Sequence, residues 1–168
     1  MMEGFRQLQI EITNECNASC VFCPHRFMQR KIQHMTKDLI RKIVNEVRSK
    51  NLINPELPMG LCGLGEPFLH PEFKEVIDIV SEVPYAIGSN ASVMIPAKIE
   101  KIFQKPFKTF TLSVDAATPE VYHKMRPGLN FNETQHNIEN FVRYLRMSDT
   151  PFWKVIYFQF IVTEINQG

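Results

Sequence analysis

The sequence predicts an α/β protein whose core is a parallel sheet of about five strands, with helices packed outside the sheet. Segments whose hydrophobic residues alternate are followed along the chain by segments whose hydrophobic residues recur every three to four positions, which is typical of parallel α/β folds. The 168 residues are 44% hydrophobic and 22% charged, as in a globular protein. This length favours one domain.

The first half of the chain predicts three strands and two helices. The predicted strands cover residues 7–13, 58–62 and 84–88. A helix over 36–49 has its aliphatic residues on one face, and Thr36 before it is a favourable N-cap. A second helix is predicted from Pro71, because proline is favoured in the first turn of a helix.

The second half continues the same alternation. The predicted strands cover 109–115 and 154–163, and a short helix covers 96–104. A helical turn is predicted to begin at Thr118-Pro119, and Asn132 is predicted to cap a longer helix. The spacing is compatible with an open doubly wound sheet and with a barrel. Because a complete eight-unit barrel needs ~250 residues, a barrel here is at most partial.

Three of the four cysteines follow the first strand directly. Cys16, Cys20 and Cys23 have the spacing C-x3-C-x2-C. Thiolates are the usual ligands of iron–sulfur clusters, and three of them leave one iron of a four-iron cluster open to another ligand. A zinc site is the alternative, and zinc takes four ligands in structural sites. The candidates for its fourth ligand are His25, His34 and Cys62.

Polar residues follow or line the next three strands, where the loops of parallel sheets carry function. The turn Gly63-Leu64-Gly65-Glu66-Pro67 allows close approach of a ligand to the backbone, and it also suits a tight connection. Asn90 follows the third strand, where turn formation alone would explain it. Ser113 and Asp115 share the polar face of strand four. They are predicted to face a ligand, although Asp115 is equally suited to capping the next turn.

The cysteine spacing, with Phe22 directly before the last cysteine, resembles the radical S-adenosylmethionine (radical SAM) superfamily. The resemblance implies that Cys16, Cys20 and Cys23 hold a [4Fe-4S] cluster whose open iron binds S-adenosylmethionine. An electron from the cluster then cleaves the cofactor to methionine and a 5′-deoxyadenosyl radical, which removes a hydrogen atom from a substrate. It also implies a partial (β/α) barrel of six units. Only five strands are predicted here, so the sixth unit is missing. Residues 1–168 are therefore expected to be a core domain that is incomplete at its C-terminus.

The resemblance also assigns cofactor contacts. The glycine turn is similar to the Gly-Gly-Glu-Pro motif of the superfamily, with Leu64 in place of one glycine, and implies that Glu66 binds the amino group of S-adenosylmethionine. The backbone of Phe22 is implied to lie near the adenine. The other implied cofactor-binding residues are Gly63, Gly65, Asn90, Ser113 and Asp115.

The segment 115–122 and the run Arg126-Pro127-Gly128 resemble the subgroup with a cysteine-rich SPASM or twitch region. That resemblance implies a peptide substrate. Arg126 is either a partner of a carboxylate, on the cofactor or on Glu66, or an ordinary surface residue. Cys62 lies in an apolar strand pattern and is predicted to be a buried, inert thiol.

Charge and hydropathy limit the partners. The net charge is +1, which argues against nucleic acid, and no segment has the length of a membrane span, so a cytoplasmic protein is expected. Residues 26–50 contain eight Lys or Arg and two Asp or Glu, a net charge of +6. This stretch is either a solvated helix face or a docking patch for a low-potential electron donor such as a flavodoxin or ferredoxin. A metal-binding scaffold and an inactive fragment are the alternatives to an enzyme.

Overall fold

A computed structural model describes residues 8–53, 56–148 and 155–167. Within these ranges five strands form one sheet in chain order, and every neighbouring pair is parallel. The strands are β1 Leu8–Ile10, β2 Met59–Leu61, β3 Tyr85–Ser89, β4 Thr109–Ser113 and β5 Ile156–Gln159. The helices are α1 Lys37–Ser49, α2 Phe73–Val80, α3 Pro96–Phe103, α4 Pro119–Met125 and α5 Phe131–Met147. The predicted α/β class with five parallel strands is therefore confirmed.

The ends of several elements differ from the prediction. Strand β3 has its predicted length and is shifted by one residue, whereas the other four strands are shorter than predicted. The outermost residues of two predicted strands, Gln7 and Lys154, lie outside the described ranges. Helix α2 begins at Phe73, because Pro71 and Glu72 still belong to the turn before it. Asn130, rather than Asn132, caps α5 and accepts a hydrogen bond from the Glu133 N–H at 3.1 Å.

Each central strand has an apolar face and a polar or small face. The apolar side chains pack against the helices and are 0–2% exposed; they are Met59, Leu61, Tyr85, Ile87, Phe110 and Leu112. The opposite face borders a cavity of about 710 Å³, which we call the inner chamber. Its lining includes Gln9, Gly60, Cys62, Ala86, Gly88, Thr111, Ser113 and Gln159. The polar face predicted for strand four thus borders an open interior.

Strand β5 lies at the edge of the described sheet and pairs with β4 alone. Tyr157 and Phe158 are 55% and 60% exposed there. Among the described helices, none is both long enough and apolar enough to cross a membrane.

Candidate cofactor site

The cysteine loop between β1 and α1 is closed on itself by Asn14. The Asn14 side-chain amide donates to the Lys31 carbonyl at 2.9 Å and accepts from the Gln33 N–H at 2.7 Å. The Asn14 carbonyl is hydrogen-bonded to Nε2 of His25 at 2.9 Å. These local contacts hold the loop in place without using a cysteine side chain.

The same loop is also tied to the segment that follows α4. The N–H groups of Ser19 and Val21 donate to the carbonyls of Pro127 and Met125, at 2.9 and 3.0 Å. Gly128 completes the contact with a φ of +94°, a conformation that favours glycine, and a Cβ there would lie 3.1 Å from the Asn17 carbonyl. The Arg126-Pro127-Gly128 run therefore positions the cysteines.

A cavity of about 280 Å³, which we call the cofactor cavity, opens beside this loop at the carboxyl ends of β2, β3 and β4. Nine of the ten residues that the sequence predicts for the site line it. They are Cys16, Cys20, Phe22, Cys23, Gly63, Gly65, Glu66, Asn90 and Ser113. The cofactor cavity borders the inner chamber, since Leu61, Cys62, Gly88, Ser113 and Gln159 line both.

The three thiols lie in surroundings that disfavour a free thiolate. Burial raises the pKa of Cys16 to about 11, and the negative charges of Glu66, Cys20 and Cys23 add to the effect. Burial also raises the pKa of Cys20, against the opposing influence of Arg126. A metal centre would supply positive charge that stabilises these thiolates, and thiolates are the ligands that hold iron–sulfur clusters. The donor set and the shared cavity fit such a cluster.

The alternative of a zinc ion finds no ready-made site in the described part of the chain. No group of three or more Cys, His, Asp or Glu side chains there is arranged to hold a single metal ion. His25 is hydrogen-bonded to the Asn14 carbonyl, and Nδ1 of His34 lies 2.8 Å from the Thr13 hydroxyl. A four-iron cluster differs from a single ion because each thiolate binds a different iron, so the sulfurs need not converge on one point.

Glu66 is the buried carboxylate of the cofactor cavity. Its side chain is almost inaccessible, and it accepts hydrogen bonds from the Ser89 hydroxyl at 2.9 Å and the Asn90 N–H at 2.7 Å. The Phe68 N–H donates to the same carboxylate at 3.2 Å. Burial raises the pKa of Glu66, while these donors oppose the shift. A carboxylate held this rigidly at a cavity wall is suited to receive a cationic amino group.

Close packing explains the glycine at position 65. A Cβ on Gly65 would lie 2.2 Å from the Thr13 carbonyl oxygen and 2.8 Å from that of Glu15. The Glu66 N–H donates to the Glu15 carbonyl at 2.7 Å. Because both obstructing atoms are backbone, only glycine lets the Glu66 turn and the cysteine loop meet. At Gly63 the obstructing atoms belong to the side chain of Glu11 instead.

The remaining predicted contacts lie at the ends of β3 and β4. The Asn90 side chain donates to Oδ1 of Asn17 in the cysteine loop at 3.1 Å, so it links the loop to the sheet. Ser113 borders both cavities, whereas Thr111 borders the inner chamber alone. Alternation along β4 therefore places both hydroxyls on the open side of the sheet.

The structure places Asp115 and Arg126 differently from the sequence-based expectation. Asp115 is fully buried, and its carboxylate accepts from Nε of Arg126 at 2.7 Å and from the Ile161 N–H at 2.8 Å. It does not line the cofactor cavity, so its carboxylate faces the protein rather than a ligand. Arg126 is 3% exposed and pairs with the carboxylate of Asp115, so it is neither a surface residue nor the partner of Glu66.

Arg126 nevertheless reaches the site. Its guanidinium lies 5.8 Å from the centroid of the Phe22 ring, and both side chains line the cofactor cavity. The pair with Asp115 thus fixes a cation beside the aromatic residue that precedes Cys23.

Cys62 is exposed rather than buried, contrary to the prediction. Strand β2 ends at Leu61, and Cys62 lies on the same side as Gly60, where its sulfur would be 3.3 Å from a Cβ on that glycine. That side borders the two cavities instead of the helices. The apolar pattern of the strand hid this alternation.

Sequence reasoning missed two supporting residues. Ser89 bonds Glu66, although only its neighbour Asn90 was singled out as a ligand. His70 is 2% exposed, and its ring is hydrogen-bonded at both nitrogens, to the Met35 carbonyl and the Glu72 N–H. The polar residue at the end of β3 was a signal for Ser89. No sequence signal distinguished His70 from a surface histidine.

Comparison with protein families matches residues 10–152 to the Radical SAM superfamily. The chain belongs to the radical SAM superfamily. Membership confirms the predicted enzyme class and, with it, the [4Fe-4S] cluster and S-adenosylmethionine as the cofactors that such a domain uses.

The curated relatives that this chain matches are distant and longer. A tungsten-containing aldehyde ferredoxin oxidoreductase cofactor-modifying protein of Pyrococcus furiosus is 26% identical over 113 residues, 66% of this chain and 31% of that protein. A GTP 3′,8-cyclase of Pelotomaculum thermopropionicum is 24% identical over 137 residues, 79% of this chain and 41% of that protein. This chain thus spans well under half of either relative.

Solved structures share the fold. The anSMEcpe structure with bound AdoMet (S-adenosylmethionine) has a TM-score of 0.69 at 19% identity, over 92% of this chain and 42% of that one. Streptococcus suis SuiB, bound to its precursor peptide SuiA, has a TM-score of 0.68 at 17% identity, over 83% of this chain and 31% of that one. These likenesses confirm that the five-stranded sheet is a partial barrel of the radical SAM type.

Proposed function

We propose that this chain is the catalytic core of an enzyme that cleaves S-adenosylmethionine reductively and abstracts a hydrogen atom from a substrate. The observation that carries the proposal is the meeting of Cys16, Cys20 and Cys23 with Glu66 and Phe22 at one cavity. When bound, the cluster and S-adenosylmethionine supply the electron and the radical for this chemistry.

The residues of the chain bind and orient. Cys16, Cys20 and Cys23 hold the cluster, and the carboxylate of Glu66 receives the cofactor's amino group. Ser89 and the Asn90 backbone fix that carboxylate through the hydrogen bonds described above. Such preorganisation lowers the entropy cost of placing the reacting atoms.

The rest of the cofactor is assigned to the other lining residues. Phe22 and the backbone of Gly63 and Gly65 flank the cofactor, and Ser113 offers a hydroxyl to its ribose. Asn90 acts beside them as a link between loop and sheet. Asp115 serves indirectly, because it orients Arg126 and the Ile161 backbone, which both line the cavity.

The proposed substrate is a peptide that enters the inner chamber. Among the described residues, no charged side chain lines this chamber, and Gln9, Thr111 and Gln159 offer neutral hydrogen-bonding groups. A triphosphate would need cationic partners there, because burying unpaired charge is costly. Two structural neighbours were solved with peptides, SuiB with SuiA and anSMEcpe with the Cp18Cys peptide. The SPASM or twitch resemblance agrees with this assignment.

Three further assignments belong to the same proposal. The electron comes from a low-potential protein such as a flavodoxin or ferredoxin, and the enzyme works in the cytoplasm. Residues 1–168 form a radical SAM core domain that is incomplete at its C-terminus.

The test is production of 5′-deoxyadenosine by the full-length protein, reconstituted with iron and sulfide and reduced with dithionite. We expect 5′-deoxyadenosine from the wild type, and weaker binding of S-adenosylmethionine by Glu66→Gln, because a hydrogen bond to a charged group contributes about 1.5–3 kcal/mol. Glu120→Gln, an exposed change on α4, is the control. A cluster-loaded wild type that forms no 5′-deoxyadenosine would contradict the proposal. Zinc as the only bound metal would favour a scaffold instead.

A further inference from the structure

The surface directly after the cysteine loop is apolar and basic at once. Arg26, Phe27, Lys31 and Ile32 form what we call the cluster-loop surface, which begins three residues after Cys23. Phe27 is 73% exposed and Ile32 is 55% exposed, and the 3-10 turn Pro24–Phe27 buries none of its residues. The Arg26 guanidinium lies 5.0 Å from the centroid of the Phe27 ring. Aromatic and arginine side chains are enriched in protein interfaces.

The structure divides the basic stretch 26–50 into two parts. Five of its eight cations form ion pairs: Arg30 with Glu11 at 2.8 Å, Lys37 with Glu72 at 2.6 Å, Arg41 and Arg48 both with Glu82, and Lys50 with Glu46 at 3.6 Å. The sequence contains no Asp or Glu from Cys16 through Lys37. In the described part of the chain neither Arg26 nor Lys31 forms an ion pair. Of the three cations of this stretch that form no ion pair among the described residues, Arg26 and Lys31 lie on the cluster-loop surface, and Lys42 lies on α1.

We propose that the cluster-loop surface is the docking site of an acidic one-electron carrier protein. This inference rests on the proposed function, because only a reducible cluster held by the cysteines needs such a partner. The rate of electron tunnelling falls steeply with distance, so the carrier must meet the protein close to the cysteine loop. In the complex the carrier is oxidised by one electron and the cluster is reduced by one.

The two kinds of side chain have separate roles in docking. Arg26 and Lys31 attract the negative carrier and raise the association rate, which makes the rate sensitive to salt. Phe27 and Ile32 lose water on contact and prolong the complex. A weak electron-transfer complex needs only a small interface of this kind.

The test compares two double charge reversals in the full-length, cluster-loaded protein. Arg26→Glu with Lys31→Glu alters the cluster-loop surface. Lys42→Glu with Lys108→Glu makes the same change in net charge at two exposed positions away from the cysteine loop. Lys42 lies on α1, and Lys108 lies directly before β4, at the sheet edge opposite the cysteines. The probe is a strongly acidic flavodoxin, measured for binding and for the rate of 5′-deoxyadenosine formation. Photoreduced 5-deazariboflavin, a small reductant, is the reference electron source.

We expect the cluster-loop variant to lose about tenfold in flavodoxin binding and in the flavodoxin-dependent rate at low salt. The control variant keeps both, and the two variants match the wild type with 5-deazariboflavin. Unchanged binding in the cluster-loop variant, or an equal loss in the control, would overturn the docking site. A wild type that is inactive with 5-deazariboflavin would instead refute the proposed function, and the binding measurement would still decide the docking site.

Discussion

His70 illustrates how a single residue can be committed to one protonation state. Its Nδ1 accepts a hydrogen bond from the Glu72 N–H at 3.1 Å, so this nitrogen carries no proton. Its Nε2 donates to the Met35 carbonyl at 2.9 Å. Burial lowers the pKa of His70, and the neighbouring His34 adds to the effect. The neutral ring therefore ties the start of α2 to the segment before α1.

Because the folded protein holds the His70 ring in its neutral form, we expect a loss of stability in acid. The unfolded pKa is about 6.5 and the folded pKa is lower, so the contribution of His70 is complete above pH 6.5 and is lost as the pH falls below it. Glu66, whose pKa is raised, acts in the opposite direction. We therefore expect the difference in free energy of unfolding between wild type and His70→Asn to shrink from pH 7.5 to pH 5.5. Urea unfolding at both pH values, with exposed His136→Asn as control, measures it; a difference independent of pH would contradict the assignment.

At the scale of elements, the site depends on how closely loops pack at the carboxyl edge of the sheet. The Glu66 turn lies against the cysteine loop at Gly65, and the segment after α4 holds the other side of that loop. The cysteines are thus placed between two backbone contacts, neither of which involves a cysteine side chain.

Gly65→Ala is expected to destabilise the protein by about 3 kcal/mol, because the new methyl group meets two carbonyl oxygens that cannot move independently of the loop. The iron content after reconstitution is expected to fall with it. Gly88→Ala is the matched control, since a Cβ there would lie 3.8 Å from the Thr111 carbonyl oxygen and 3.9 Å from the Thr111 Cβ, which are ordinary contact distances. Urea unfolding and iron and sulfide analysis measure the two effects. Equal behaviour of the two variants would show that the close approach at Gly65 is unimportant.

The buried pair of Asp115 and Arg126 connects three elements: the end of β4, the end of α4 and the segment after β5. Asp115→Asn leaves the Arg126 cation buried without its counter-charge, at a cost of about 3–5 kcal/mol in the free energy of unfolding. Replacing both, with Asp115→Leu and Arg126→Met, is expected to cost less. Urea unfolding of the single and double variants forms the test. A double variant less stable than Asp115→Asn would disprove the buried-charge explanation.

At the scale of the whole molecule, the sheet has one face for stability and one for function. The face against the helices is apolar, whereas the face that borders the inner chamber carries small and polar residues. Strands β2, β3 and β4 each contribute to both faces through alternation. The chamber joins the cofactor cavity, so the proposed substrate would lie beside the proposed cofactor.

The reactivity of Cys62 tests which cysteines are free and which hold the cluster. Cys62 is exposed at the boundary of the two cavities, whereas the proposed cluster would engage the thiolates of Cys16, Cys20 and Cys23. We expect N-ethylmaleimide to modify Cys62 alone among the four cysteines of the cluster-loaded protein, and to reach further cysteines after the cluster is removed. Peptide mass mapping identifies the modified residues. A modified Cys16, Cys20 or Cys23 in the loaded protein would contradict the ligand assignment.

The sequence was sufficient for the fold class, the cysteine loop and most of the cavity lining, because these features are local. Alternation within β4 and the spacing of three thiols are set over a few residues, and parallel strands bring their carboxyl ends to one edge. Helix starts were less predictable where two candidates compete, as at Asn130 and Asn132.

Only the tertiary structure decided which polar groups pair and which side of a strand is open. Arg126 and Asp115 are 11 positions apart, and His70 reaches Met35 across 35 positions. The exposure of Cys62 depends on which face of the sheet the helices cover. Burial of a charge is favourable only when its partner is brought into contact, and no local pattern encodes that meeting.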